Sequence, residues 1–221
     1  MLSPALRLWL RSQVHQVSNL EVKIWGSDRQ ILTGHIDRVS ISATHAVYQG
    51  LHLSQIQLVG ENIRINLGQV LRGQPLRLLE PVPVFGSLRL QESDLNASLQ
   101  SPLLANAMSE LLGTLLPPNC PVDGQPACHK IAIDSGCLII SATLAADTSN
   151  PTPVIIRTGL QLASCHELQL DQPQIQTQAG SPWVNLDNFK LDLGPEVAIQ
   201  ELTLSSGQLV CCGRINVIPA D

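Results

Sequence analysis

Large rings are almost missing from this chain. In 221 residues there are three Trp, one Tyr and two Phe, so aromatics reach only 3%. A core built from it is therefore aliphatic, held by Leu, Ile and Val. The same scarcity removes the stacking platforms that single-stranded nucleic acid needs, and nucleic acid is excluded as a partner. Charge is sparse too, at 14%. It is also uneven. Residues 1–90 hold nine Lys/Arg and five Asp/Glu (+4), and residues 91–221 hold four and thirteen (−9), which together give the net −5. The basic residues of the first half are dispersed along it.

Long hydrophobic runs are lacking. No stretch of about 18 uncharged apolar residues exists, so no helix is expected to span a bilayer. The first ten residues carry Arg7 and no small-residue cleavage site follows them, so no signal peptide is read and a cytoplasmic or peripheral location is expected. Catalytic motifs are missing as well. There is no nucleophile elbow, phosphate loop, dinucleotide fingerprint or paired-histidine zinc motif, and the expectation is a chain that is not an enzyme and takes no cofactor. The six cysteines include no Cys-x-x-Cys, so no metal site is expected. A Cys120–Cys128 bridge and free thiols both remain open. Adjacent Cys211 and Cys212 must point to opposite faces of a strand.

What the chain does have is alternation. In residues 36–67 apolar side chains recur at every second position: Val39, Ile41 and Ala43, then Ile56 and Leu58, then Ile63 and Ile65. That is the period of strands with one apolar face. A hairpin frame recurs, with Ile131-x-Ile133-Asp-Ser-Gly-Cys-Leu138-x-Ile140 matching Leu202-x-Leu204-Ser-Ser-Gly-Gln-Leu209-x-Cys211. Ile56-x-Leu58 and Ile63-x-Ile65 share its spacing. Hairpin upon hairpin predicts one long antiparallel sheet.

Two segments have helical period. Leu6, Leu10, Val14 and Val17 share a face, with Arg7 and Arg11 on another and Trp9 at the edge. Residues 1–19 read as an amphipathic helix, with Trp9, Arg7 and Arg11 as candidate membrane contacts. From Ser93 the period changes again. Ser101-Pro102 restarts or kinks the helix, and Leu103, Leu104, Ala107, Met108, Leu111, Leu112 and Leu115 make a wide apolar stripe. This helix, 93–116, is expected inside something. The layout is a single α+β domain over 1–221: first strand group 20–90, apolar helix, Pro/Cys loop 117–130, and second strand group 131–221.

Three stretches carry a resemblance. Val39–Leu67 ending in Gly-Glu-Asn-Ile-Arg-Ile-Asn-Leu, Leu76–Val84, and Glu92-Ser-Asp-Leu-Asn-Ala-Ser-Leu-Gln-Ser-Pro occur in an order similar to the LmeA-like phospholipid-binding family. The resemblance implies a TULIP-like half-barrel, in which a long curved antiparallel sheet wraps a long apolar helix and leaves a tunnel for acyl chains. It implies non-enzymatic binding of phospholipid or another acyl lipid and peripheral contact with a membrane surface. The expected lining is the helix stripe of Leu103, Leu104, Ala107, Met108, Leu111, Leu112 and Leu115, facing Ile41, Ile56, Leu58, Ile63 and Ile65. The alternative is a scaffold protein whose core closes on itself.

Overall fold

The computed structural model describes residues 17–70, 72–116, 126–144, 152–177 and 180–219. Residues 1–16 of the N-terminal helix expected over 1–19, and most of the Pro/Cys loop with Cys120, lie outside these residues; Val17 and Ser18 are not helical and Asn19 already begins the first strand. The fold is β-rich, with large antiparallel sheets and few helices. The strands are β1 (Asn19–Trp25), β2 (His35–Tyr48), β3 (Leu51–Arg64), β4 (Val82–Gln91), β5 (Pro126–Asp134), β6 (Cys137–Leu144), β7 (Thr152–Leu162), β8 (Glu167–Gln176), β9 (Val184–Asn185), β10 (Phe189–Asp192), β11 (Val197–Ser205) and β12 (Gln208–Val217). The described helices are α1 (Asp28–Leu32), α2 (Leu67–Val70), α3 (Glu92–Ser98) and α4 (Pro102–Leu115).

The strands form two sheets in place of the single sheet expected. The first runs β1-β2-β3-β4-β12-β11; the second runs β10-β8-β7-β6-β5, with β9 also on β8. Alternation says which residues share a face but not which strand lies beside which, so it could not show this division. β12 returns from the end of the chain to pair with β4, and Pro83 stands opposite Asn216, outside the β3–β4 ladder that begins at Gly60–Val84.

β2 and β3 are each 14 residues. A two-residue turn joins them, with Gln49 and Gly50 both at positive φ (49° and 80°). That is the hairpin turn whose twist suits antiparallel strands. Gly60-Glu61-Asn62 is not a third hairpin turn, for β3 passes straight through it. Asn62 sits at φ 53° within the strand, which resets the alternation so that Ile63 and Ile65 serve the side that Ile56 and Leu58 serve before it. His45, at φ 48°, does the same between Ala43 and buried Ala46 in β2.

The two full copies of the repeated frame are hairpins, β5–β6 and β11–β12, and their tips meet. Gly136 N–H donates to the Leu204 carbonyl at 3.3 Å, and Gly207 N–H donates to the Ile133 carbonyl at 2.8 Å. Equivalent residues of the two copies thus bond reciprocally, as a local two-fold would place them, and this is one seam between the sheets. Ile199 N–H adds a bond to the Cys165 carbonyl at 2.6 Å, so the outer edge of β11 is met by turns of the second sheet. An uncovered edge would invite pairing with another chain.

The second seam is α3. Its polar residues are spaced by four and face two ways. Asn96 brackets Ile131 on the open edge of β5, donating to its carbonyl at 2.7 Å and accepting its N–H at 2.9 Å. Glu92 accepts the Ile133 N–H at 2.9 Å. On the other side Asp94 accepts the Ser54 hydroxyl of β3, and Ser98 accepts the His52 N–H at 2.8 Å. The Glu-x-Asp-x-Asn-x-Ser run is a clamp between sheets. Its Asn-Ala-Ser triplet is committed to these bonds.

Two cores result. The larger lies between α4 and the second sheet, around Leu112, Ile140, Val154 and Ile156; the smaller joins Val22, Ile36 and Val39 on the first sheet.

Candidate functional site

The expected helix is two helices. Ser101 caps α4, accepting the Leu104 N–H at 3.2 Å with Pro102 in the first turn. α3 ends before it because the residue preceding a proline avoids helical geometry. The stripe then divides. Met108, Leu112 and Leu115 are buried against the second sheet, with Leu112 only 1% exposed. Leu104 and Leu111 pack at the margin of the same core. Leu103 is 49% exposed and Ala107 is exposed as well. So α4 covers the second sheet with one face and shows the other to solvent. Met108, Leu112 and Leu115 are packed against the sheet as tightly as an ordinary filled interior.

The five strand residues lie on the other sheet. Ile41, Ile63 and Ile65 pack around Val22, Ile36 and Val39. Ile56 and Leu58 share their face, since Ile56 stands opposite Ala43 and Leu58 opposite Ile41. They belong to neither core cluster. The structure therefore places Leu104, Met108, Leu111, Leu112 and Leu115 in one packing cluster and Ile41, Ile63 and Ile65 in another, with all five strand residues on a single sheet face.

That face continues past the residues picked out from sequence. Registered neighbours in an antiparallel sheet share a face. Ile56 faces Leu88, Leu88 faces Cys211, and Cys211 faces Leu202, a row across β3, β4, β12 and β11. All four are half-buried. The sequence suggests a strand only over Ser87–Leu90, because Pro81 and Pro83 argue for a loop or edge; β4 instead begins at Val82, and nothing local told that β4 and β12 adjoin β3. The far side of the strip is bent inward. β11 carries a bulge between Ile199 and Glu201 opposite Gly213, and a Cβ on Gly213 would come within 2.6 Å of the Ala198 carbonyl oxygen. Only glycine lets β11 cross so close.

The opposite face of this sheet is largely polar, with Ser42, Gln57 and Ser87 in one row and Gln55 beside Arg89, though Val59 and Phe85 follow Ser40 in another. Cys212 lies on it, 3.4 Å from the Ser87 hydroxyl, while Cys211 lies on the apolar face, as adjacent strand residues must. Burial, with Cys212 adding to it, raises the Cys211 thiol above its ordinary value, and burial likewise raises Cys128. Both are held as neutral thiols, poor nucleophiles and poor ligands. Cys128, Cys137, Cys165, Cys211 and Cys212 are free.

A groove of about 690 Å³ opens beside the outer side of α4, between Leu99, Ala105, Asn106, Ser109 and Glu110 and the start of β5 at Pro126, Ala127 and Cys128. Its mixed lining, with a carboxylate, suits an acyl chain poorly, and none of the twelve residues expected to line a lipid site borders it. Among the described residues no group of three His, Cys, Asp or Glu is arranged to hold a metal, and no helix is long and apolar enough to cross a membrane. Arg7, Trp9 and Arg11 lie outside the described residues.

No curated protein and no solved structure matches the chain. One family model does, over residues 1–214, which takes in both sheets, both seams and the half-open apolar face. The chain belongs to the LmeA-like phospholipid-binding family.

Proposed function

We propose that this chain binds phospholipid through its acyl chains, without catalysing a reaction, on the apolar face of the first sheet. The observation that carries this reading is the half-buried row Ile56–Leu88–Cys211–Leu202. It lies between the small core at β1–β2 and the inward bend of β11. Aliphatic side chains without large rings leave room along such a strip. Each methylene withdrawn from water contributes about 0.8 kcal/mol, so a pair of acyl chains needs no specific polar contact to stay. In this reading the curved first sheet is the container wall of a TULIP-like half-barrel, and α4 is a prop for the second sheet whose exposed Leu103 and Ala107 add a further apolar margin. Arg7, Trp9 and Arg11 belong to a segment proposed to touch the membrane, from which lipid is taken or to which it is delivered.

The test is native mass spectrometry of detergent-free protein, stripped of lipid and then offered phospholipid. Wild type takes it up. Leu88→Gln with Ile56→Gln lowers occupancy at least about tenfold, the effect of withdrawing roughly two methylenes' worth of contact. Leu103→Gln changes occupancy far less. Stripped wild type that takes up no phospholipid overturns the reading.

A second reading is a scaffold with closed cores. The tight packing of Leu112 and Ile156, at 1% and 0% exposure, favours it for the second sheet. It predicts no uptake by any variant.

A further inference from the structure

The strands of the first sheet end in a distinctive surface. At one end stand the β1–β2 connection with α1, the start of β2, the end of β3, the segment that follows it, and the end of β12. Backbone bonds hold these together. Ile65 N–H bonds the Gly34 carbonyl at 2.8 Å, and Leu79 N–H bonds the Arg64 carbonyl at 2.8 Å. Trp25 pairs with Arg38, and Val217 with Val82. Among the described residues twelve large hydrophobic side chains are exposed, and six of them are here: Trp25, Leu32, Leu79, Ile215, Val217 and Ile218. Leu32, Leu79 and Ile218 are more than half exposed, at 65%, 58% and 57%. Single exposed apolar residues are ordinary, but a cluster of this kind marks an interaction surface.

Arginines are interleaved with them. Residues 25–38, 61–82 and 214–219 contain six arginines and four carboxylates, so +2 in a chain of net −5. The dispersed basic residues of the first half are thus brought to one end by the hairpin returns. Among the described residues Arg29, Arg72, Arg77 and Arg214 have no carboxylate partner. Arg38 reaches Glu61 only at 3.9 Å and Arg64 reaches Glu80 at 3.7 Å, all four side chains being about half exposed. Such pairs are weak and exchangeable. Arg38 also lies over the Trp25 ring, 5.4 Å from its centre, which holds the indole beside a cation. Glu196, at the adjoining start of β11, marks the acidic margin.

We infer that this end of the first sheet docks on an anionic phospholipid bilayer, with Leu32, Leu79 and Ile218 inserted among the headgroups and the unpaired arginines on lipid phosphates. Trp with aliphatic residues and arginine is the combination that partitions to a membrane interface, and the positive charge selects a negative surface. A protein partner with a hydrophobic patch would not explain why the cations lack carboxylates. The location matters, because Val84 and Ile215 carry the apolar face from this end towards the row at Leu88. A docked molecule would present the open end of its lipid strip to the bilayer. The inference rests on the lipid-binding reading only for that purpose, and the two fail separately.

The experiment is co-sedimentation of the full chain with vesicles of phosphatidylcholine alone or with about a third phosphatidylglycerol, a composition that adds anionic surface. Wild type binds the anionic vesicles and leaves the neutral ones. Leu79→Ser with Ile218→Ser, and separately Arg29→Ser with Arg77→Ser, weaken binding about tenfold or more, while the unfolding midpoint stays near that of wild type because all four side chains are on the surface. Trp183→Ser with Leu191→Ser, two exposed apolar residues just before β9 and in β10, binds as wild type. Both strand-end variants binding as wild type overturns the inference, as does a wild type that ignores anionic vesicles, or loss confined to Trp9→Ser. Lipid occupancy is read on the same preparations. Occupied protein that does not dock removes this inference alone, and docking protein that never carries lipid removes only the binding reading.

Discussion

Asn96 shows how much one side chain can organise. It gives the edge of β5 both a donor and an acceptor at Ile131, as a neighbouring strand would. Removing it leaves a backbone N–H and carbonyl without their partner in a half-buried seam. We expect Asn96→Ala to destabilise by about 1–3 kcal/mol, the usual cost of an unsatisfied buried group, with urea unfolding as the measurement. Asn106→Ala, on the exposed side of α4, should stay within about 0.5 kcal/mol of wild type. Equal effects would mean that the seam contributes nothing beyond its contacts. Cys211 makes the same point for chemistry: an alternating strand predicts its direction, but its burial, with Cys212 beside it, is what raises its thiol above the ordinary value.

At the scale of elements, α4 behaves as a lid. Its apolar stripe is wide enough in sequence to look buried all round, yet the helix touches protein on one face. Leu112→Ala should therefore cost about 2–5 kcal/mol as a large-to-small change in a filled core. Leu103→Ala, about two and a half turns away along the helix and half exposed, should cost less than about 0.5 kcal/mol. The difference is readable from two denaturant titrations. A large loss at Leu103 would place that residue under cover and favour an enclosed helix. α1 teaches a smaller lesson. Gly26-Ser27-Asp28 has the composition of a turn, but Ser27 and Gln30 form a reciprocal capping box, and the Gln30 N–H reaches the Ser27 hydroxyl at 3.3 Å. The Ser-x-x-Gln spacing is a helix-start pattern, and here it prevails over the turn-like composition.

For the whole molecule, the arrangement is asymmetric. The second sheet holds the larger core beneath α4. The first sheet keeps a small core at one side and a half-open apolar face beyond it. A ligand on that face binds only the folded chain, so it must raise stability by linkage, about 2.7 kcal/mol at a hundredfold excess over Kd. The expected outcome is an unfolding midpoint that rises with added phospholipid and falls when lipid is stripped. In the Leu88→Gln, Ile56→Gln chain the rise should be largely lost. No lipid-dependent shift in wild type would favour the scaffold with closed cores.

By itself the sequence determined the local matters: the strands, through the period of their apolar residues; the break at Ser101-Pro102, through proline geometry; the two full hairpin frames; and the opposite facing of Cys211 and Cys212. The family, too, was legible in the Glu92–Ser101 run. Only the tertiary structure decided that there are two sheets, that α4 and the Ile41–Ile65 residues serve different packing clusters, that β12 returns beside β4, and that scattered arginines gather at one strand end. The reason is physical. Periodicity reports which way each side chain points along its own strand or helix, a matter of neighbouring dihedral angles. Which element lies opposite is set by pairings between residues more than a hundred positions apart, such as Leu88 and Cys211, and no local pattern carries that information.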